Sequence, residues 1–447
     1  PIILQMTIDD DTSIDGGSQI TLTASGTRLF FVNEGVSFNL SNITLSNGDS
    51  TAGGGAIESF GADLTLRGVR LVNNAALTTG GAISCARGTE GGSLTIADST
   101  LTANRASRGG GIFNDRCDLR VTDSSVSGNE GGGISISEDS TATLSRVTLN
   151  GNVAGHGGGI ENSGNLTVAD SLIASNEVTG SGGGIWNIGG SVALRRTTVR
   201  DNQAYEGGGI NSYGTHVELD QVNVTGNTTE GSHGGGIFHG GGTMFISNAT
   251  ISDNVTISDN THGGGIYQAS DGNLAIANAT VADNYADGFG GGLYHASRYA
   301  TINNATFVGN AAMAGGAIYE AASPTPQNPG VIQIQNSLLA DNACGGSLFE
   351  SLGNNVAVAG SCAALSHGSD RLVAASAIQL DQARFNGGRF PMRTYAPLPG
   401  SAALGAGNLD TCTVTDQRGA PRDSTCDAGA LQTGALLAWV WMPVVRR

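Results

Sequence analysis

The chain has 447 residues and a formal net charge of −17, only 13% of its residues are charged, and all 21 basic residues are arginines. A strongly acidic chain without a basic stripe binds nucleic acids and anionic membranes poorly, which excludes both classes of partner. The longest apolar run, 435–442, is far shorter than the roughly 20 residues that span a bilayer, so no membrane span is predicted.

Residues 1–50 contain short stretches in which apolar and polar residues alternate, a pattern typical of strands. Because a repeat rod needs atypical end units to cover its core, we predict that 1–50 forms the N-terminal cap and the first coils. The sequence begins at Pro1 rather than at a methionine, and we expect that an export signal has been removed.

Residues 51–345 repeat one phrase, Gly-Gly-(Gly/Ala)-(Ile/Leu), with a mean period of about 26 residues. A fixed period in this range is typical of a solenoid, in which each unit packs only against its neighbours. The 11 copies end at Ile57, Ile83, Ile112, Ile134, Ile160, Ile185, Ile210, Ile237, Ile266, Leu293 and Ile318.

Each repeat combines the glycine phrase, a polar turn, an alternating segment such as Leu166-Thr167-Val168, a second turn and a closing asparagine such as Asn176. Period-2 alternation between Gly, Asn, Asp and Ser turns indicates strands, and no run of ten or more residues has helical spacing. Three short strands per repeat predict an all-β parallel β-helix whose coils stack about 4.8 Å apart. The tandem TISDN within Thr250–Asn260 predicts a bulged loop.

The glycine phrase is lost after residue 345, and proline, arginine and cysteine become frequent. We predict that 346–432 is a loop-rich C-terminal capping region. Residues 433–447 form an apolar tail that we interpret as an anchor or assembly segment, with Trp439, Trp441, Pro443, Arg446 and Arg447 as its candidate residues.

The six cysteines fall into three local pairs, and none has the spacing of a zinc site. We predict three disulfides and therefore an oxidising, extracellular setting. The pairs are Cys85 with Cys117, Cys344 with Cys362, and Cys412 with Cys426.

Candidate chemistry is sparse. Gly155-His156-Gly157 matches one short element of polygalacturonases, but the accompanying acidic and basic elements are missing. His233 and His262 precede the glycine phrase in adjacent coils, which is compatible either with a two-histidine metal site or with exposed corner residues. Several aspartates precede turn or coil-closing asparagines and could form an acidic edge, but no arginine column faces them: Asp201, Asp253, Asp259, Asp283 and Asp341.

The repeat resembles the right-handed parallel β-helix proteins of bacteria that are related to polymorphic outer membrane protein repeats. The C-terminal stretch is similar to the end of the choice-of-anchor Q family, and together the two resemblances cover nearly the whole chain. They imply an exported, surface-associated protein and no defined reaction. The C-terminal blocks that carry the second resemblance are Asn386-Gly387-Gly388, Leu398-Pro399-Gly400-Ser401-Ala402-Ala403, Asp416-Gln417-Arg418-Gly419-Ala420-Pro421-Arg422 and Cys426-Asp427-Ala428-Gly429-Ala430.

We therefore predict a non-enzymatic extracellular or cell-surface protein with a structural or adhesive role. One hypothesis within this class is self-assembly of the rod into a fibre or surface layer. Its expected partners are further copies of itself and cell-surface glycans. The alternative is a polysaccharide lyase or glycoside hydrolase that acts along the groove of the rod. We predict no catalytic residues and no cofactor beyond weak calcium binding by the acidic surface.

Overall fold

The computed structural model describes residues 5–434 except 90, 322–330, 341–343, 347–348, 389 and 423, and it leaves out the side chains of 270 and 271. In this range the chain winds into a stack of coils, and every coil adds one parallel strand to each of three faces. The predicted all-β parallel β-helix is confirmed.

The first face contains the strands that begin at the isoleucine or leucine of the glycine phrase. It also contains the equivalent strands of the coils before and after the repeats. Ile160, for example, pairs in register with Ile134 and Ile185. Its strands are Met6–Ile8, Phe30–Val32, Ile57–Phe60, Ile83–Ala86, Ile112–Asp115, Ile134–Ile136, Ile160–Asn162, Ile185–Asn187, Ile210–Ser212, the first part of Ile237–Ser247, the first part of Ile266–Ala277, Leu293–His295, Ile318–Glu320 and Cys344–Gly345.

The second face contains the alternating segments. Two early strands continue from it around the corner into the third face, Thr12–Thr23 and Ser37–Ser46, and the later parts of Ile237–Ser247 and Ile266–Ala277 also belong here. The remaining strands are Asp63–Arg67, Ser93–Ala97, Asp118–Thr122, Thr141–Ser145, Asn165–Ala169, Ser191–Arg195, His216–Asp220, Tyr299–Asn303, Val331–Gln335 and Phe349–Gly353.

The third face precedes the coil-closing asparagines. Its strands are Arg70–Val72, Thr100–Thr102, Ser125–Ser127, Thr148–Asn150, Leu172–Ala174, Thr198–Arg200, Asn223–Thr225, Thr250–Ser252, Thr280–Ala282, Thr306–Val308, Leu338–Leu339, Val356–Val358 and Arg371–Val373. Two-residue strands form narrow ladders after the asparagines, at Asp49–Ser50, Ala75–Ala76, Val153–Ala154, Glu177–Val178, Gln203–Ala204, Thr228–Thr229, Val255–Thr256 and Tyr285–Ala286.

The core is one continuous apolar column inside the rod. The isoleucines of the glycine phrase are fully buried, as are the inward residues of the other faces, such as Val168 and Ile173. The glycines allow the coils to approach closely, because a Cβ atom on Gly158 would lie only 2.6 Å from the carbonyl oxygen of Gly183. The phrase therefore sets both the corner and the spacing between coils.

The coil-closing asparagines form a buried ladder. In each step the amide Nδ2 of one asparagine donates to Oδ1 of the asparagine in the next coil, at 2.9 Å from Asn176 to Asn202. Asn254 belongs to this ladder, although the repeat pattern does not predict it as a coil-closing residue. The pattern also predicts a closing asparagine at Asn342, which lies outside the described residues. The second TISDN copy then forms the loop that lengthens this coil. The ladder runs through Asn74, Asn104, Asn129, Asn152, Asn176, Asn202, Asn227, Asn254, Asn284 and Asn310.

A second buried column is polar as well. On the first face, the inward residue two positions after the isoleucine is polar in seven consecutive coils, all of them at most 1% exposed. The column consists of Asn162, Asn187, Ser212, His239, Gln268, His295 and Glu320, which are register partners. Burial lowers the pKa of both His239 and His295 to about 4, so these imidazoles are neutral at neutral pH.

Coil pairing continues past residue 345, the predicted end of the repeat body, as far as Val373. The described residues of 375–434, which we call the C-terminal segment, then run back along the third face. The segment contains a short 3₁₀ helix, Ala375–Ala377, and an antiparallel pair, Arg384–Phe385 with Arg393–Thr394. In the described part of the chain, no helix is long and apolar enough to cross a membrane.

Side chains of the rod bind this segment mainly through hydrogen bonds to its backbone carbonyl groups. Asn223 Nδ2 donates to the Pro391 carbonyl at 3.0 Å, Thr250 Oγ1 to that of Arg393 at 2.9 Å, and Asn278 Nδ2 to that of Thr415 at 2.8 Å. The region predicted as a cap therefore lies along the side of the rod over several coils, in contact with its third face.

Candidate functional site

The outward surface of the first face carries a ladder of aromatic rings. The residue after the phrase isoleucine or leucine points outward, and in four consecutive coils it is Phe238, Tyr267, Tyr294 and Tyr319, which are register partners. The residue before the glycines lies beside this column at the corner and supplies three further rings. We call the seven rings the aromatic ladder: His233, Phe238, His262, Tyr267, Phe289, Tyr294 and Tyr319.

The rings of the ladder stack nearly parallel. The outward rings have centroid separations of 5.1 Å from Phe238 to Tyr267, 5.0 Å to Tyr294 and 5.6 Å to Tyr319. Each corner ring lies still closer to the outward ring of the following coil, as His233 does to Tyr267 at 4.4 Å. The two columns therefore interleave into one continuous stack.

The histidines of the ladder are fixed as neutral rings by the backbone of the next coil. The amide N–H of His262 donates to His233 Nδ1 at 3.0 Å, and that of Phe289 donates to His262 Nδ1 at 3.0 Å. Burial lowers the pKa of His233, and burial with the neighbouring His233 lowers the pKa of His262 to about 4. Since Nδ1 accepts a hydrogen bond, the ring proton is on Nε2.

This geometry disfavours the two-histidine metal site that the sequence suggested. The Nδ1 lone pairs of His233 and His262 are occupied, and their ring centroids are 5.0 Å apart in parallel planes. Among the described residues, no three His, Cys, Asp or Glu side chains are grouped as metal ligands. His156 likewise accepts from the Ser181 amide and stacks on Trp186 at 4.4 Å, three coils before His233.

Glu206 lies at the start of the ladder. Its carboxylate accepts hydrogen bonds from Asn211 Nδ2 at 2.9 Å, Ser232 Oγ at 3.0 Å and the Tyr213 hydroxyl at 3.3 Å. Burial and Glu206 raise the pKa of Tyr213 to about 12, and burial raises that of Tyr267 to about 12. Tyr213 and Tyr267 therefore keep their hydroxyl protons and can both donate and accept.

The other outward carboxylates of this face are paired with arginines. Glu161 accepts two hydrogen bonds from Arg108, at 3.1 and 2.9 Å, and one from Ser135. Glu58 forms an ion pair with Arg28. These pairs leave little free charge for acid–base chemistry on the first face.

The predicted acidic edge is formed in part. Asp201, Asp253 and Asp283 occupy equivalent corner positions before ladder asparagines, with φ of 55°, 57° and 56°. The structure adds a cation that the repeat pattern did not predict, since Arg393 of the C-terminal segment lies 3.8 Å from Asp253. Tyr395 donates to Asp283. Asp259 lies in the following loop, outside these corner positions, and Asp341 is not among the described residues.

The structure contains the three disulfides. Cys85 and Cys117 join successive coils inside the core with their Cα atoms 6.2 Å apart. Cys344 and Cys362 join the last coils, with Cα atoms 4.7 Å apart, and Cys412 with Cys426 closes a loop of the C-terminal segment.

The Asp-Gln-Arg-Gly block fastens the C-terminal segment. Buried Asp416 accepts from Arg418 and from the amides of Ala420 and Gln432. Gln417 donates to Thr250 Oγ1 at 2.9 Å. The block therefore holds the C-terminal segment together and attaches it to the third face.

The aromatic ladder was missed at the sequence level, although its signal was present. An aromatic residue follows the phrase isoleucine or leucine in successive repeats, and three of the corner residues before the glycines are ring-bearing as well. The predicted assembly residues Trp439, Trp441, Pro443, Arg446 and Arg447 lie outside the described residues.

Comparison with known protein families gives a match over the first part of the rod. The model of the right-handed β-helix region matches residues 28–204 and 82–252, two overlapping ranges that together cover just over half of the chain. No curated protein and no solved structure matches it. The matched range includes eight of the glycine-phrase strands, from Ile57–Phe60 to the first part of Ile237–Ser247, and the beginning of the aromatic ladder. The chain belongs to the right-handed β-helix family.

Proposed function

We propose that this chain is a non-enzymatic extracellular or cell-surface rod with a structural or adhesive role, and that it holds a glycan along the aromatic ladder. The observation that carries the proposal is the uninterrupted stack of rings from Phe238 to Tyr319, one outward ring per coil. Tyrosine combines a large apolar surface with a polar tip, which suits a ligand rich in both C–H and O–H groups.

The ladder repeats its hydrogen-bonding groups at the spacing of the coils. Tyr267, Tyr294 and Tyr319 each contribute a hydroxyl, and His233 and His262 each contribute an Nε2–H. A chain of sugar rings repeats its hydroxyl groups at a similar interval, so successive sugars can meet equivalent groups on successive coils. Repetition along one direction adds small contacts into a useful affinity.

Charge favours an uncharged glycan over an acidic one. The chain carries a net charge of −17, and the low pKa of His262, about 4, keeps that ring neutral. An anionic polysaccharide would therefore meet repulsion without a compensating cation in the ladder.

The alternative function, a polysaccharide lyase or glycoside hydrolase, needs different chemistry. Hydrolysis usually requires two carboxylates about 5–9 Å apart, one of them acting as an acid. Glu206 is the carboxylate at the ladder, whereas Glu58 and Glu161 are occupied by Arg28 and Arg108. The arrangement therefore supports binding more directly than cleavage.

Affinity electrophoresis tests the binding. The gels contain either a neutral glucan, mannan or xylan, or the acidic polygalacturonate. We expect retardation by at least one neutral polysaccharide, and a loss of about tenfold in affinity for Tyr267→Ala with Tyr294→Ala, typical of removing central aromatic anchors. The control is Tyr285→Ala with Tyr299→Ala, since these side chains are 44% and 51% exposed outside the ladder. Equal loss in both double variants would refute the ladder as the binding surface.

The same polysaccharides incubated with the protein test the enzymatic alternative. We expect no new reducing ends and no unsaturated products. Product formation that is abolished by Glu206→Gln would replace it with the enzymatic function.

The resemblance to the choice-of-anchor Q family supports a surface location within this proposal, as do the disulfides, which persist in oxidising compartments. Self-assembly through the apolar tail is a further element of it. Light scattering of the full chain and of a variant lacking 433–447 tests this element. A monomer in both cases would remove self-assembly from the proposal.

A further inference from the structure

Three tyrosines of the ladder lie in consecutive coils with their rings stacked on one another. Tyr267 and Tyr294 have ring centroids 5.0 Å apart and planes inclined by only 4°. Tyr294 and Tyr319 have centroids 5.6 Å apart and planes inclined by 5°. All three side chains are partly exposed. In the described part of the chain, these are the two tyrosine–tyrosine ring contacts.

We propose that this tyrosine stack is a site of oxidative cross-linking, in which a dityrosine bond joins Tyr294 to Tyr267 or to Tyr319 and locks neighbouring coils covalently. The inference is independent of glycan binding. It rests on the face-to-face geometry of the rings and on their accessibility to an oxidant.

The stacked geometry favours bond formation between neighbouring rings. In a tyrosyl radical the unpaired electron is shared between the phenolic oxygen and the ring carbons ortho to it, in orbitals perpendicular to the ring plane. Two parallel rings place such orbitals towards each other, so a carbon–carbon bond can form across the stack. Holding reactants in this arrangement before the reaction removes much of its entropic cost.

The reaction balances with hydrogen peroxide and a haem peroxidase as the oxidant. Each phenol gives up one electron and one proton, and the two radicals combine at their ortho carbons. The coupled rings then lose the hydrogens at those carbons and regain the phenolic ones as they become aromatic again. In total two hydrogens leave the protein and the peroxide is reduced to two waters.

Such a bond would complement the disulfides. Cys85–Cys117 joins successive coils in the N-terminal half of the rod, and Cys344–Cys362 joins the last ones. Between them, in the described residues from 118 to 340, no disulfide joins one coil to the next. The tyrosine stack lies within that stretch.

Treatment of the full chain with horseradish peroxidase and hydrogen peroxide tests the inference. We expect blue dityrosine fluorescence in the monomer at low protein concentration, and a cross-linked peptide pair containing Tyr294, two hydrogens lighter than the sum of its parts. The yield should be independent of protein concentration, because the bond is intramolecular.

The variant Tyr294→Phe preserves the ring stack but removes the phenol shared by both pairs, so we expect complete loss of the monomeric cross-link. Tyr299→Phe, an exposed tyrosine on the second face, should leave the yield unchanged. Cross-links that form only between molecules, or that persist in Tyr294→Phe, would overturn the inference. Affinity electrophoresis of the untreated Tyr294→Phe protein measures glycan binding separately. Failure of the cross-link can therefore be told apart from failure of the proposed function.

Discussion

Asparagine is the residue that connects one coil to the next. Asn176 donates from its backbone and side chain to Asn202 Oδ1, donates to the Leu149 carbonyl, and accepts from both N–H groups of Asn152. One side chain thus bridges three coils. An alanine in its place would leave several buried polar groups without partners.

We expect Asn176→Ala to lower the free energy of unfolding by about 2–4 kcal/mol, since each unpaired buried group costs on the order of 1–3 kcal/mol. Chemical denaturation measures the change. Asn165→Ala is the control, because Asn165 is exposed and surface changes usually stay within about 0.5 kcal/mol. Equal effects of the two substitutions would contradict a structural role of the ladder.

Histidine gives the interior its response to acid. His239 is fully buried between Ser212 and Gln268 in the second column, and burial lowers its pKa to about 4. The unfolded chain, with an ordinary histidine pKa of about 6.5, binds more protons than the folded chain between these values. Stability should therefore fall as the pH drops from about 6.5 towards 4.

The variant His239→Gln tests this source of acid sensitivity, since glutamine already occupies the equivalent position at Gln268. We expect the loss of stability between pH 7 and pH 4 to shrink by on the order of 3 kcal/mol. Thermal melts across this pH range measure it, with exposed His216→Gln as the control. An unchanged pH profile would show that His239 does not contribute.

At the scale of elements, the third face and the C-terminal segment form one unit. Buried Gln417 donates to the Ala249 carbonyl and to Thr250 Oγ1, both at 2.9 Å, and accepts from Thr280 Oγ1 at 2.6 Å. Its amide thus connects the segment to two coils that lie far from it in sequence.

We expect Gln417→Ala to loosen the C-terminal segment selectively, because the segment is held by a limited set of polar contacts while the coils retain their core. Hydrogen exchange should then rise in 375–434 and stay unchanged in 57–187. The control is Gln382→Ala, at an exposed position of the same segment. An equal rise in hydrogen exchange in both ranges would mean that the segment and the coils open together.

The parts of the fold that depend on local sequence could be predicted from it. The period, the strands and the ladder of asparagines follow from Ile160, Leu166, Val168 and Asn176 and their equivalents. The path of the C-terminal segment could not be predicted, because it depends on contacts such as that of Asn223 with Pro391, which are 168 residues apart.

Part of the candidate site could be predicted from the sequence. The aromatic residues after the phrase isoleucine could be read from the sequence. Their stacking depends on the register between coils, since His233 lies against Tyr267 of the following coil. The tandem TISDN likewise concealed which asparagine, Asn254 or Asn260, occupies the ladder.

At the scale of the whole molecule, the coil is the unit in which the length of the rod can change. Deleting 158–182 joins Gly157 to Gly183, so the glycine phrase is restored and Asn152 is followed by Asn202 in the ladder. All inward and outward positions keep their orientation in such a variant.

We expect this deletion variant to remain folded, to unfold cooperatively and to be shorter by about 4.8 Å, the spacing of one coil. Deleting Thr167 alone should be far more damaging, because a shift of one residue turns the following apolar side chain outward. Circular dichroism melts and small-angle scattering compare the two. A folded Thr167 deletion beside an unfolded coil deletion would contradict this expectation.

The close approach at the glycine phrase separates the scaffold of this protein from its surface chemistry. The second glycine of the phrase leaves no room for a methyl group, since a Cβ on Gly183 would lie 2.5 Å from the Gly208 carbonyl oxygen. The positions on either side of the phrase carry no such restriction, and different coils place arginine, glutamate, histidine, phenylalanine or tyrosine there. Mutation can therefore change the side chains on this surface, coil by coil, without altering the backbone that displays them.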